Sequence, residues 1–130
     1  MGFAEAVRSG FDHYATFAGR ASRPAYWWWA LFGVLVSLVT RVLDGLLGSS
    51  FVRSTQYGAE VSVGLIASLA GLVLLLPSIA VLVRRLHDTD RSGWWYWLVL
   101  IPVVGWLLLL YFLVSAGAPG DNRYGPPPAA

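Results

Sequence analysis

From Val61 to Val83 the chain carries no charged side chain, and this run limits the fold more than any other feature. A helix of about 20 apolar residues, rising about 1.5 Å per residue, matches a hydrocarbon core of about 30 Å. Two more apolar runs accompany it: Ala25 to Leu47, with Arg41 and Asp44 near its far end, and Trp94 to Ala116. Only 12% of the 130 residues are charged, against about 25% in soluble domains. The sequence therefore predicts an all-α integral membrane protein with an interfacial N-terminal helix and three transmembrane helices. A single membrane domain covers 1–130: a cytoplasmic amphipathic helix and turn at 1–24, span one at 25–47, span two at 61–83, a cytoplasmic loop at 84–93, span three at 94–116, and a Pro/Gly-rich tail at 117–130.

Each segment carries local signals. Phe3, Val7, Phe11, Tyr14 and Ala18 recur at helical spacing opposite Glu5, Arg8, Asp12 and His13, an amphipathic pattern suited to the headgroup plane or to packing on the neighbouring loops. These early charges leave no uninterrupted apolar core for a cleavable signal peptide, so span one is expected to act as an uncleaved anchor. Ser22 and Pro24 suit the start of a helix, and Tyr26 to Trp29 form an aromatic belt at the start of span one. Arg41 and Asp44, one turn apart, are placed to pair while reaching outward, or to form an intramembrane pair. Gly48 to Glu60 reads as a polar connector, and Pro77 is expected to kink span two. Pro102 and Gly105 interrupt span three, and the Trp106 indole needs a hydrogen-bond acceptor at that depth, such as a carbonyl freed by Pro102. A re-entrant hairpin turning at Pro102 to Gly105 is the rival geometry for this segment. Tail residues read as turns followed by an extended end.

All nine basic residues are arginine, and their placement sets the expected orientation. Arg8, Arg20 and Arg23 precede span one, and Arg84, Arg85 and Arg91 lie between spans two and three. The positive-inside bias then puts the N-terminus and the central loop in the cytoplasm and the C-terminus outside. A net charge of +2 with dispersed arginines does not suit a nucleic-acid binder. With no cysteine and only His13 and His87 as imidazoles, neither a metal site nor a cofactor is expected.

The densest chemistry lies in Arg84-Arg85-Leu86-His87-Asp88-Thr89-Asp90-Arg91-Ser92-Gly93-Trp94-Trp95. Arg84 and Arg85 complement the C-terminal end of a helix. Asp88 is placed to accept from His87 or Arg91, and Ser92 to cap the following helix, which together describe an internally bonded hairpin. Alternatively, Arg84, Arg85 and Arg91, joined by Arg20 and Arg23 under the tryptophans, form an anion site for a lipid or ligand phosphate. General acid–base use of His87 with Asp88 is a third chemistry.

Three motifs together resemble the YhaH-type bacterial inner-membrane proteins catalogued as domain of unknown function 805: Tyr14 through Trp27, Arg84 to Trp95, and Ile101-Pro102 to Gly105 followed by Gly117 to Pro128. The resemblance covers nearly the whole chain from about Tyr14. It carries the family motif onto Gly19, Arg20, Arg23, Tyr26 and Trp27, then onto Arg84, Arg85, Leu86, His87, Asp88, Arg91, Ser92 and Trp94. Pro102, Gly105 and the tail residues Asn122, Arg123, Gly125 and Pro126 complete it, with Pro24 as the main departure. It implies a small multi-spanning protein of the bacterial inner membrane with no assigned activity. The expected function is non-enzymatic: a cytoplasmic Arg/Trp face that binds anionic lipid headgroups or a partner protein. The alternative is a small membrane enzyme or transport subunit using His87 and Asp88. Three full spans would put the tail motif on the opposite side from the other two.

Overall fold

A computed structural model describes residues 1–54, 56–58 and 60–128; the last two residues of the tail lie outside the described residues. The elements are α1 (Phe3–Asp12), α2 (Arg23–Leu47), β1 (Ser50–Ser54), β2 (Glu60–Gly64), α3 (Leu65–Asp88), a 3-10 helix (Gly93–Leu100) and α4 (Val104–Val114). The chain is mostly helical, but the all-α expectation misses the antiparallel hairpin of β1 and β2, in register from Ser50 opposite Gly64 to Ser54 opposite Glu60. This hairpin takes the first residues of the expected span two, so the helix begins at Leu65 and runs on through Asp88. Arg84 to Asp88 are therefore the end of a helix and not part of a loop. Pro77 lies within that helix.

α2 and α3 are long and apolar enough to cross a bilayer, with mean hydropathies of 1.9 and 2.6. Only 11% and 17% of their most apolar stretches are enclosed by the protein, so both helices turn apolar surface outward. Within α2, Thr40 returns its hydroxyl to the carbonyls of Val36 and Ser37, satisfying it inside its own helix.

Two compact units divide the chain: Met1–Ala30 with Leu76–Ala130, and Leu31–Leu75. In the second unit Asp44 is 1% exposed and acts as a cap for α3. Its Oδ1 accepts from Ser49 Oγ at 2.6 Å and Ile66 N at 2.8 Å, and its Oδ2 accepts from Ala67 N at 2.9 Å. These amides belong to the first turn of α3, where backbone donors have no helical acceptor. Gly64 leaves room for the carboxylate, which a Cβ there would strike. Among the described residues no ion pair joins Asp44 to Arg41, so the expected pairing does not form.

In the first unit α1 is shorter than its sequence period suggests. The His13 ring donates through Nδ1 to the Ser9 carbonyl at 2.9 Å, and the chain leaves the helix there. Gly10 lies so close to the Trp29 indole that a Cβ would overlap it, while Phe11 meets Trp29 and Phe3 meets Trp28 edge to face. The aromatic stripe of α1 is thus partly spent on α2. Trp29 Nε1 donates to Ser78 Oγ at 3.0 Å, which ties α2 to α3.

The expected third span is not one helix. Eight residues of 3-10 helix rise about 16 Å, and the eleven of α4 about 16.5 Å, so neither arm crosses a core of about 30 Å. Pro102 has no N–H to continue the helix, and the backbone reverses at Val103, whose φ of 63° is rare for a β-branched residue. Gly105 lets the arms meet, because a Cβ there would strike the Leu98 carbonyl and Ile101. Trp106 Nε1 donates to the Val99 carbonyl at 2.7 Å. Leu109, Phe112 and Leu113 of α4 close a small core with Leu86, packed by Tyr26, Leu82 and Leu98. The end of α4 therefore returns to the end of α3.

Candidate functional site

Asp88 is the centre on which the separated motifs converge. Its Oδ1 accepts from Arg20 Nε at 2.9 Å, and its Oδ2 from Arg85 Nη1 at 2.5 Å, with all three side chains buried. Its backbone carbonyl accepts from Ala118 N at 2.7 Å, and a Cβ at Gly117 would collide with its carboxylate. The tail therefore lies against Asp88 at the end of α3. Three full spans would hold the tail away from Asp88, whereas this contact brings the two together.

Both ion-paired arginines are also saturated by carbonyls. Arg20 donates to Gly120 O at 2.7 Å, Ala118 O at 2.6 Å and Gly125 O at 3.2 Å. Gly120 has φ 67° and Gly125 φ 117°, so the turns that aim these carbonyls inward use backbone that side chains rarely adopt. Arg85 donates to Leu113 O at 3.0 Å, Ala21 O at 3.3 Å and Ser115 O. A planar fork suits this work, and a lysine ammonium lacks the geometry for it. Arg20 and Arg85 are thus internal fasteners joining the N-terminal segment, α3, α4 and the tail.

Arg84 differs from them. It is 6% exposed, and its Nε and Nη2 are enclosed with no hydrogen-bond partner. Its backbone carbonyl accepts from Ala21 N at 3.0 Å, which sets it beside the segment leading into α2. There Ser22 Oγ accepts from Ala25 N at 3.2 Å as an N-cap. Arg23, exposed at the start of the same helix, reaches the Val114 carbonyl alone among the described residues, at 3.5 Å. Among the described residues of this unit the buried cations are thus Arg20, Arg84 and Arg85, and Asp88 is the one buried carboxylate.

His87 and Asp88 turn to different partners. His87 Nδ1 lies 3.0 Å from the Gly19 carbonyl, its ring stacks on Tyr124 at 3.9 Å, and its own carbonyl accepts from Asn122 Nδ2 at 2.9 Å. Asn122 and Gly125 exchange backbone hydrogen bonds, and Asn122 Oδ1 accepts from Tyr124 N at 2.8 Å. Arg91 does not reach Asp88: it donates to the Thr89 carbonyl and lies 4.0 Å above the Phe112 ring. Arg123 pairs with Asp90 at 3.2 Å on the surface. Ser92 Oγ accepts from Trp94 N at 3.2 Å at the entrance of the 3-10 helix. Tyr26 packs on the small core and meets Trp27 edge to face, while Trp27, Trp94 and Pro126 are exposed.

Sequence reasoning missed Gly117, Ala118 and Gly120, whose part is played by backbone, and Tyr124 and Phe112, which lie far along the chain from the rings and cations they meet. The Gly-Ala-Pro-Gly composition of the tail was the available signal, since glycine permits both a close approach and a positive φ.

Comparison with known proteins agrees with this arrangement in its reach along the chain. The family described as "Protein of unknown function (DUF805)" matches residues 14–126. The chain is 43% identical over 116 residues to inner membrane protein YhaH of Escherichia coli K12, covering 89% of each chain. It is 38% identical to inner membrane protein YhaI of the same strain, covering 89% of this chain and 88% of that one. The uncharacterized protein YiiR of Escherichia coli K12 is 32% identical over 140 residues. No solved structure matches the chain.

Proposed function

The chain belongs to the DUF805 family, whose Escherichia coli relatives YhaH and YhaI are inner membrane proteins, and from that premise we propose a non-enzymatic membrane protein that binds the phosphate of anionic lipid headgroups. Arg84, with Arg23 at the start of α2, is the binding group. In this reading α2 and α3 cross the bilayer, and the 3-10 helix and α4 enter and return on the cytoplasmic side. Seven of the nine arginines then lie on that side, with Arg41 and Arg53 across from them. That division is sharper than three spans give, and it follows the positive-inside bias.

One observation carries the reading: two enclosed guanidinium nitrogens of Arg84, Nε and Nη2, have no hydrogen-bond partner. Burying an unpaired cation is costly, and an anion brought to it offsets that cost. A phosphate oxygen matches the guanidinium fork, and the partial positive charge at the α2 N-terminus adds to the attraction. His87 and Asp88 favour no second reading. Both Asp88 oxygens serve arginines, and His87 Nδ1 serves Gly19, so no acid–base pair is assembled.

The test is lipid retention by the purified chain in native mass spectrometry. Wild type is expected to hold phosphatidylglycerol over phosphatidylcholine, and Arg84→Gln to lose about tenfold of that preference, or about 1.4 kcal/mol. Equal retention of the two lipids by wild type would sink the proposal.

A further inference from the structure

A cavity of about 450 Å³ opens beside the stretch that joins α3 to the 3-10 helix, on residues that the phosphate reading does not use. Its walls include Phe17, Val83, His87, Ser92, Trp94 and Trp97. No acidic or basic side chain other than His87 lines it, so it offers an ion no fixed countercharge. Its size falls within the range of small-molecule sites, and its walls follow their usual pattern of aromatic surface with a few polar groups.

The polar groups fix the ligand's chemistry. The Gly19 oxygen is a carbonyl and only accepts, so His87 Nδ1, 3.0 Å away, carries the ring hydrogen. In the neutral ring Nε2 is then an acceptor. Among the described residues it has no hydrogen-bond partner, and it is not among the enclosed unpartnered atoms. Tyr124 lies flat against the ring at 3.9 Å and fixes its plane. Ser92 Oγ already accepts from Trp94 N, so its own hydrogen is free to point outward. Of the two polar side chains on these walls, His87 thus has one acceptor to offer and Ser92 one hydroxyl donor, set among aromatic residues.

We infer that this cavity binds the headgroup of a membrane-soluble quinol, an aromatic ring whose hydroxyl donates to His87 Nε2 and whose oxygen accepts from Ser92. A hydroxyl serves both points at once, and the flat ring lies against Trp94 and Trp97. Entry is from the bilayer: Trp94 is 76% exposed and Trp97 53%, at the mouth of the hairpin that this chain turns toward lipid. A quinone has no hydroxyl to donate, so the oxidised form binds less well at a pH where imidazole is neutral. No electron transfer is involved, only selective binding of the reduced ring.

The full chain in phosphatidylcholine nanodiscs at pH 8 provides the test, titrated under argon with decylubiquinol, decylubiquinone or decanol while its unfolding temperature is followed. Decylubiquinol is expected to raise that temperature at concentrations about tenfold lower than decylubiquinone, with decanol inert. Trp97→Ala, on an exposed wall, and Val83→Phe, which fills the cavity, should unfold like wild type without ligand and lose the quinol shift. Equal shifts from quinol and quinone, a decanol shift as large as the quinol's, or a full quinol shift in Val83→Phe would each overturn the inference. None of these outcomes depends on Arg84, so failure here leaves the phosphate reading standing.

Discussion

Arg20 and Asp88 meet at 2.9 Å across 68 residues of sequence, with side chains 1% and 6% exposed. The same carboxylate holds Arg85, so one negative charge balances two buried guanidinium groups. Asp88→Asn keeps the shape and removes the charge, leaving both arginines uncompensated. Breaking a buried pair in this way costs about 3–5 kcal/mol, and here the tail and the N-terminal segment should come loose with it. The expected result is a large fall in unfolding temperature in detergent, together with protease cleavage between 115 and 122. An Asp88→Asn protein as stable as wild type would show that the arginines are held by carbonyls alone.

Arg84 predicts the opposite sign. Its enclosed nitrogens have no partner, so replacing it with methionine removes an unsatisfied buried charge and keeps the apolar stem. Arg84→Met should stabilise the lipid-free protein by about 1–3 kcal/mol, read as a higher unfolding temperature in a zwitterionic detergent. Stability would then have been given up for binding, as is common at functional sites. A destabilised Arg84→Met would mean that the guanidinium already has a compensating partner within the chain.

These opposite signs mark what the sequence hides. The density of arginine, histidine and aspartate from Arg84 to Arg91 is legible at once, as is a second cluster at Arg20 and Arg23. Which arginine is an internal fastener and which is free is not, because pairing depends on distance after folding. Asp88 has Arg91 three residues away and uses Arg20 instead, because Arg91 is drawn onto the Phe112 ring. Length counting reads 94–116 as one helix because it assigns every residue the same rise. The reversal depends on a missing N–H at Pro102, a missing Cβ at Gly105 and an indole donor at Trp106, which no hydropathy sum contains. The short β-hairpin has a faint trace in the alternation of Val61 and Val63 with Glu60 and Ser62, overridden by the apolar run it precedes.

Asp44 makes a separate claim about the other unit. It is buried within an apolar stretch, yet its bonds to Ile66 N, Ala67 N and Ser49 Oγ make it a helix cap. Asp44→Ala should cost about 1–2 kcal/mol through the amides it leaves unsatisfied, and Asp44→Asn less, since one amide oxygen still accepts. Arg41→Gln should stay within about 0.5 kcal/mol of wild type, because no pairing joins it to Asp44. Hydrogen exchange at Ile66 and Ala67 reports the effect directly: faster exchange is expected in Asp44→Ala and not in Arg41→Gln. Equal effects of the two substitutions would restore the ion pair.

The location of the C-terminus decides between two crossings and three. Ala118 N bonds the Asp88 carbonyl, Arg20 bonds the carbonyls of Ala118, Gly120 and Gly125, and Asn122 bonds the His87 carbonyl. These contacts join the tail to the segment before α2 and to the end of α3, so the proposed two-crossing reading puts all three on one side of the bilayer. In that reading the positive-inside bias assigns this side to the cytoplasm. Green fluorescent protein fused after Ala130 should therefore fluoresce, and alkaline phosphatase fused there should be inactive, as at the N-terminus. Phosphatase fused within residues 55–59 should be active. An active phosphatase at the C-terminus would require α4 to emerge on the far side. Arg20 would then lose its tail carbonyls, and the buried cluster on Asp88 could not exist in the membrane-inserted protein.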